Sequence, residues 1–348
     1  MFALSKELKD QVNRKSSVFY RIFKNCLKVK EENVLIISDF GTDNSKVSSM
    51  LGYGYYNIAK NKGYNVQIMF QESKKGFMQA DNHIIRALNN LSKKSIVIAT
   101  VSNKLGRIGD KKSFRGFCKE KGHRFISATG LGDAKNNHFE QFMEAMNVNY
   151  SRMKKIGNKL KRKLDKAKKI QVKTDAGTNI IFDVEGMESK ANLGEYNEEG
   201  MGGNVPAGEI YIPPKGYYGV NGTIVIDGSM KTSNGAVLID EPVTLKIVEG
   251  RVVSIEGKHA HLLEKTFNRY ENRSKYPYRV RHVGELGIGI NPGAVLIGST
   301  IMDEKVLGTA HIGIGSNYWF GGDIKTVYHG DQVFKNPRIY LDGELLKL

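Results

Sequence analysis

Short apolar runs alternate with helical stripes along the first half of the chain. Residues 6–28 carry apolar positions at helical spacing, with Phe19, Ile22, Phe23, Cys26 and Leu27 on one face. The run NVLIIS at residues 33–38 is almost wholly apolar, as in a strand covered on both faces. Helical patterns follow at residues 45–61 and about 78–91, strand patterns at 65–70 and 95–101, and a helix–strand pair at 113–128. Repeated βα units of this kind predict a parallel sheet covered by helices.

The period changes after about residue 170, where strands and glycine turns dominate. IQVKTDAGTNIIFDV predicts a hairpin around Asp175-Ala176-Gly177, and LKIVEGRVVSIE another through Glu249-Gly250. VNGTIVIDG predicts a turn at Asn221-Gly222, and one helix interrupts at about residues 259–272. The expected architecture is α/β. A parallel βα domain at 1–169, ending in a basic amphipathic helix, precedes a β-rich α+β domain at 170–348.

At 348 residues the chain is long enough for two domains. No apolar run approaches the roughly 20 residues that cross a bilayer, and MFALSKELKDQVNRK lacks the pattern of a signal peptide. Cys26 and Cys118 are too few for a disulfide framework or a thiolate metal site. A cytoplasmic protein without a membrane partner is the expectation. The net charge of +17 peaks at residues 151–170, SRMKKIGNKLKRKLDKAKKI. There Met153, Ile156, Leu160, Leu164 and Ala167 form one apolar stripe, and the rest is a solvated basic face. With no nucleic-acid motif and no interleaved aromatics, a nucleic-acid partner is not expected.

In the first half, Ser38-Asp39-Phe40-Gly41-Thr42-Asp43 follows the first strand, where open α/β sheets often bind ligands. No GxGxxG accompanies it; GYGYYN at residues 52–57 lies inside a helical stretch. Two readings stand for Asp39 and Asp43: they order the turn into the next helix, or they border a cleft.

The last third holds the candidate chemistry. Glu209 in GEIYI, Glu285 in GELGIGINP, His311 in GTAHIGIGSNY and the pair His329–Asp331 in VYHGDQVF are each flanked by β-formers or glycines. Each can stand at a strand end or a tight turn. On an extended segment His-x-Asp points both side chains to one face. Carboxylates mixed with imidazoles suit Zn, Co, Mn or Fe(II). Five or more ligands exceed what one open catalytic metal needs and suit a pair.

These segments, with GGNVPAGEIYI, VNGTIVIDGS, GRVVSIEG and DEKVLGTAHIGIGSNYWFGG, resemble the thermophilic metallo-aminopeptidases of the aminopeptidase T and aminopeptidase S group. The likeness is close from about residue 192 onward. It implies that Glu209, Glu285, His311, His329 and Asp331 are metal ligands, with Glu304 a further one and Glu285 the bridge between two divalent ions. It implies that Tyr318 serves as an active-site tyrosine, donating to a developing oxyanion. The substrate would be a peptide with a free amino terminus, and the assembly a homodimer. Glu209 and Glu285 are candidates for catalysis as well as for ligation, and which carboxylate acts as general base stays open.

Two alternatives stand beside the hydrolase. The same layout and the His-x-Asp pair are similar to the non-haem iron ring-opening dioxygenases of the 2,5-dihydroxypyridine type, which carry a histidine where this chain has Glu285. A metal-binding homologue in peptide tailoring is the other.

Overall fold

The computed structural model describes residues 4–109 and 113–347. They divide into two compact units, Met1–Tyr150 with Gly194–Ala207, and Ser151–Leu193 with Gly208–Leu348. This differs from a single cut at residue 169 in two respects. The basic helix Tyr150–Leu164 groups with the second unit from Ser151 onward, and residues 194–207 return to the first.

The first unit is built on a five-stranded sheet in the order Val66–Gln71, Val34–Asp39, Ile96–Thr100, Arg124–Ala128, Gly202–Asn204. Every pairing in it is parallel. The strand Val34–Asp39 is buried along its whole length, which is why its sequence is continuously apolar rather than alternating. The helix Val47–Asn61 packs on it through glycine. A Cβ on Gly54 would stand 2.2 Å from the Phe19 ring, and one on Gly52 would stand 2.7 Å from Ser38 Oγ. The glycines of GYGYYN therefore serve close packing. Asp39 orders the turn after its strand: its carboxylate accepts from Gly41 N at 3.1 Å and Ser102 N at 2.6 Å. Asp43 is exposed, and the following helix Val47–Asn61 has Lys46 at its N-cap without a side-chain cap bond.

The second unit holds two seven-stranded sheets. One runs Arg251–Glu256, Val243–Val248, Val220–Ile226, Asn179–Asp183, Lys169–Lys173, Arg338–Leu341, Glu344–Leu345. Its hairpin at Glu249-Gly250 takes positive φ at both turn residues (47° and 73°), as a two-residue hairpin of matching twist requires. The Asn221-Gly222 turn does not exist. Both residues lie inside the strand Val220–Ile226, where a Cβ on Gly222 would meet Asn179 O at 2.3 Å. That glycine is set by the closeness of the neighbouring strand rather than by a chain reversal.

The other sheet runs Gly235–Leu238, Ser229–Thr232, His329–Lys335, Thr309–Gly315, Val283–Gly289, Glu209–Ile212, Lys190–Asn192, antiparallel throughout. Val283–Gly289 and Thr309–Gly315 are buried at every residue. The basic helix belongs to the same unit. Gly157 lets it approach closely, since a Cβ there would lie 2.4 Å from Leu193 Cδ2 and 3.2 Å from Ile210 Cδ1. Met153, Leu160, Leu164 and Ala167 are buried as the stripe predicts, but Ile156 is exposed and Gly157 takes its place in the packing. Among the described residues, no helix is long and apolar enough to cross a membrane.

Candidate metal centre

The register of this second sheet assembles the site. Glu285 stands opposite Gly313, and Gly313 opposite Asp331; Gly289 stands opposite Glu209, and Gly287 opposite His311. Residues opposite one another in antiparallel strands share a face, and every second residue along a strand returns to it. Glu209, Glu285, His311, His329 and Asp331 therefore converge on one face of four adjacent strands. Glu285, His311 and Asp331 are interior strand positions. The expected placement at strand ends and turns thus holds only for Glu209 and His329, each the first residue of its strand.

Glycine makes room on that face. A Cβ on Gly287 would stand 2.0 Å from His311 Nε2. One on Gly313 would meet His329 Cε1 at 2.8 Å and Glu285 Cβ at 2.9 Å. The Gly-x-Gly alternation of GELGIG and HIGIG clears the space that the polar side chains fill.

Two sets of potential ligand atoms, Glu285–His311–Asp331 and Glu209–Glu304–His311, each gather within 4.8 Å and share His311. His329 joins the first: its Nε2 lies 3.2 Å from Asp331 Oδ1 and 3.5 Å from Glu285 Oε2. The other ring nitrogen, Nδ1, lies 2.8 Å from Ser316 O. Donation to that carbonyl fixes the tautomer of the neutral ring, in which Nε2 faces the cluster as the metal-binding nitrogen. Asn317 holds this corner, donating through Nδ2 to Gly284 O at 2.9 Å and accepting Ile324 N at 2.8 Å.

The cluster is chemically unfinished. His311 is fully buried, and neither ring nitrogen makes a hydrogen bond, although Glu285 Oε1 lies 3.4 Å from Nε2. Asp331 Oδ1 is likewise buried without a hydrogen-bond partner. Native interiors seldom leave such atoms unsatisfied unless an ion or water completes them. A divalent metal fits this donor set of imidazole nitrogens and carboxylate oxygens.

The electrostatics point the same way. Burial alone would lower both histidines. Contact with Glu285 and the charges of Asp331 and Glu209 outweigh it and push His311 up to about 9, and Asp331 and Glu285 push His329 up to about 10. Asp331, despite its burial, is held well below the usual carboxylate range by the two histidines. Glu285 is raised, chiefly by burial. The site draws protons strongly when no metal is there to replace them.

The second set has a feature absent from the sequence expectations. Lys305, fully buried, places Nζ 2.6 Å from Glu209 Oε1 and hydrogen-bonds Glu304 Oε1 as well. Burial works against its charge, but Glu209 and Glu304 more than compensate. Burial raises Glu304, while the ammonium of Lys305 beside it pulls the carboxyl back toward its charged form.

Tyr318 is not drawn into this cluster. It is 60% exposed, and its ring lies under Lys325 Nζ at 4.9 Å. Its neighbour Trp319 packs on the site instead, with its ring centroid 5.0 Å from that of His329.

The sequence profile of the NicX family, 2,5-dihydroxypyridine 5,6-dioxygenase, matches residues 138–347. No curated protein matches the chain in sequence. Among solved structures, 2,5-dihydroxypyridine dioxygenase from Pseudomonas putida KT2440 superposes with a TM-score of 0.74 at 17% identity, covering 97% of this chain and 96% of the other. Wild-type AmpT from Thermus thermophilus superposes with a TM-score of 0.66 at 12% identity, covering 97% of each. The likeness to the aminopeptidase T group thus holds at the level of the fold. The expected hydrolase, aminopeptidase and protease function is overturned by the family match, which is to an oxidoreductase.

Proposed function

The chain belongs to the 2,5-dihydroxypyridine 5,6-dioxygenase family, and from that premise we propose that it is a metal-dependent ring-cleaving dioxygenase. Its metal would be iron(II), held by His311, His329 and Asp331, with Glu285 beside them where the similar dioxygenases carry a histidine. The observation that carries this reading is the convergence of two imidazoles and a carboxylate around the unsatisfied His311 and Asp331 atoms. Two histidines and one carboxylate with open positions are the donor set of non-haem Fe(II) oxygenases.

Bound iron would supply the electron-transfer chemistry that lets O2 react with an electron-rich ring. The protein's own residues do the rest. Ser316 O sets the His329 tautomer and ring plane. Trp319, 57% exposed beside His329, offers an aromatic face on which a planar substrate can stack. Gly287 and Gly313 keep the sheet face open for the ligands. The substrate class is a hydroxylated aromatic or nitrogen-heteroaromatic ring, and both oxygen atoms enter the opened product. Tyr318, exposed and engaged with Lys325, has no part in this scheme.

The test is anaerobic reconstitution with Fe(II), followed by oxygen-electrode and absorbance measurements with 2,5-dihydroxypyridine and a panel of dihydroxylated rings. Stoichiometric O2 uptake with loss of the ring chromophore is the expected result. An iron-loaded protein that consumes no oxygen with any of them would overturn the proposal.

A further inference from the structure

Glu209, Glu304 and His311 have the makings of a second metal site, yet a cation of the protein's own already stands among them. Lys305 Nζ lies 2.6 Å from Glu209 Oε1 and also bonds Glu304 Oε1, while Glu209 Oε2 faces His311 Nε2 at 4.0 Å. A lysine side chain with no exposure at all is rare unless its charge is paired. Here two carboxylates pair it.

The backbone fixes that position. Gly289 allows the segment after the short helix Thr300–Asp303 to lie directly on the strand Val283–Gly289. A Cβ at 289 would stand 2.2 Å from Val306 O and 2.8 Å from the Lys305 carbonyl carbon. Asn291 N donates to Lys305 O at 2.8 Å, fastening the segment from the other side. Because Gly289 stands opposite Glu209 in the sheet, Lys305 is delivered alongside that carboxylate. Glu304 and its counter-ion arrive together as adjacent residues.

We infer that the Lys305 ammonium replaces a second metal ion, confining this centre to one metal per chain and converting Glu209 and Glu304 from ligands into its counter-ions. The inference rests on the metal-centre reading above. An ammonium supplies positive charge and three donors but no vacant coordination position. It can neutralise the acidic wall of the site, yet it cannot activate a water or share a bridging oxygen as a second dication would. The expectation of two ions followed from counting ligands, and Lys305 withdraws two of those counted.

Elemental analysis and calorimetric titration of the chelator-stripped full chain with Zn2+, a redox-inert probe, test this without reference to turnover. Wild type and Lys305→Arg are expected to bind one zinc per chain. Lys305→Ala, which removes the charge and opens space, is expected to bind two, and the pair Lys305→Ala with Glu209→Gln to return to one. Two zinc ions in wild type, or one in a folded Lys305→Ala, would overturn the inference. If Lys305→Ala does not fold, Lys305→Gln, which removes the charge at nearly constant volume, is expected to bind two, and one zinc in it would overturn the inference. One zinc in wild type and two in the variant support the inference whether or not the iron form consumes oxygen. Ring cleavage by a wild-type protein holding two irons overturns it and leaves the dioxygenase reading standing.

Discussion

Asp39 in the first unit and Asp331 in the second are both buried carboxylates on strands of a well-packed sheet. Asp39 is surrounded by donors: Ser48 Oγ at 2.5 Å, Ser102 Oγ at 2.8 Å, Ser102 N at 2.6 Å and Gly41 N at 3.1 Å. Nothing in that net is missing, and the carboxylate ties two turns together. Around Asp331 the neighbours are other metal-type side chains, and its Oδ1 finds no hydrogen bond. A buried polar group closed by its own chain stabilises a fold, whereas one left open implies a partner from outside. The difference separates a structural acid from a candidate ligand where residue type and burial do not.

Removing one group from each of the two surroundings is the most forceful way to break this contrast. His311→Ala, which removes the nitrogen common to both ligand sets, is expected to lower metal affinity by more than ~10²-fold, beyond what losing an orienting partner costs. Asp39→Ala should retain full metal stoichiometry while losing about 3 kcal/mol of stability, since it strands several buried donors to a charged acceptor. Metal titration beside denaturant unfolding reads both. An Asp39→Ala protein that folds normally but binds no metal would remove the distinction.

Glycine sharpens the same contrast with a smaller step. Gly287→Ala places a methyl where His311 Nε2 now stands, at 2.0 Å, so the imidazole must turn away. Metal affinity should fall ~10–100-fold, the range for disturbing ligand orientation. Gly63, by contrast, has open space around its Cβ position, and metal affinity in Gly63→Ala should be unchanged. Equal losses in the two variants would show that glycine spacing does not shape the site.

Much of this was legible in the sequence, for identifiable reasons. The strand at Val34–Asp39 is apolar throughout because it is covered on both faces, and the hairpin at Glu249-Gly250 needs residues that accept positive φ; both left plain marks. Five of the six acids and histidines come together because their flanking glycines and β-formers record the sheet face they occupy, while Glu304 joins them from the end of the short helix Thr300–Asp303. Other features left no such mark. Gly222 reads as a turn residue but answers to the closeness of a neighbouring strand, a tertiary fact. Lys305 sits in a polar MDEK run that looks solvated, and lysine is rarely buried, so its role as counter-ion is invisible until the fold sets it beside Glu209. A ligand count made without Lys305 favours two metals, while the hydrolase expectation came from the resemblance and is overturned by the family match. Ser316 acts through a carbonyl every residue possesses, which no pattern could reveal.

Acidity offers a gentler probe. In the metal-free chain His311 and His329 titrate near 9 and 10, above the ordinary histidine value of 6.5. Groups raised on folding contribute stability that is complete below about pH 6.5 and is lost as pH climbs through 9 and 10. Metal must displace those protons, so binding should release them and strengthen as pH rises from 7 toward 9. The metal-free protein should meanwhile lose thermal stability above pH 9, widening the melting-temperature gap between loaded and stripped forms. Calorimetric titration in buffers of different ionisation enthalpy measures the proton release directly; a value of zero at pH 7.5 would mean the histidines are already neutral there.

The smallest effect is expected on the basic helix. Lys159 and Lys166 are exposed and Lys163 half-buried; Lys166 lies just past the helix end, and none of the three belongs to the buried line of Met153, Gly157, Leu160 and Leu164. Lys161 differs, pairing with Asp165 at 2.8 Å, and is left in place. Replacing Lys159, Lys163 and Lys166 by Gln removes charge without touching the face that supports the strand bearing Glu209. Stability should change by no more than about 0.5 kcal/mol for each site, and metal stoichiometry and oxygen uptake should be unaltered. Because the site's geometry is fixed by register and by glycines on the strands, surface charge on a backing helix has no route to the ligand distances. A change in metal ratio in this triple variant would mean that the helix does more than buttress the sheet.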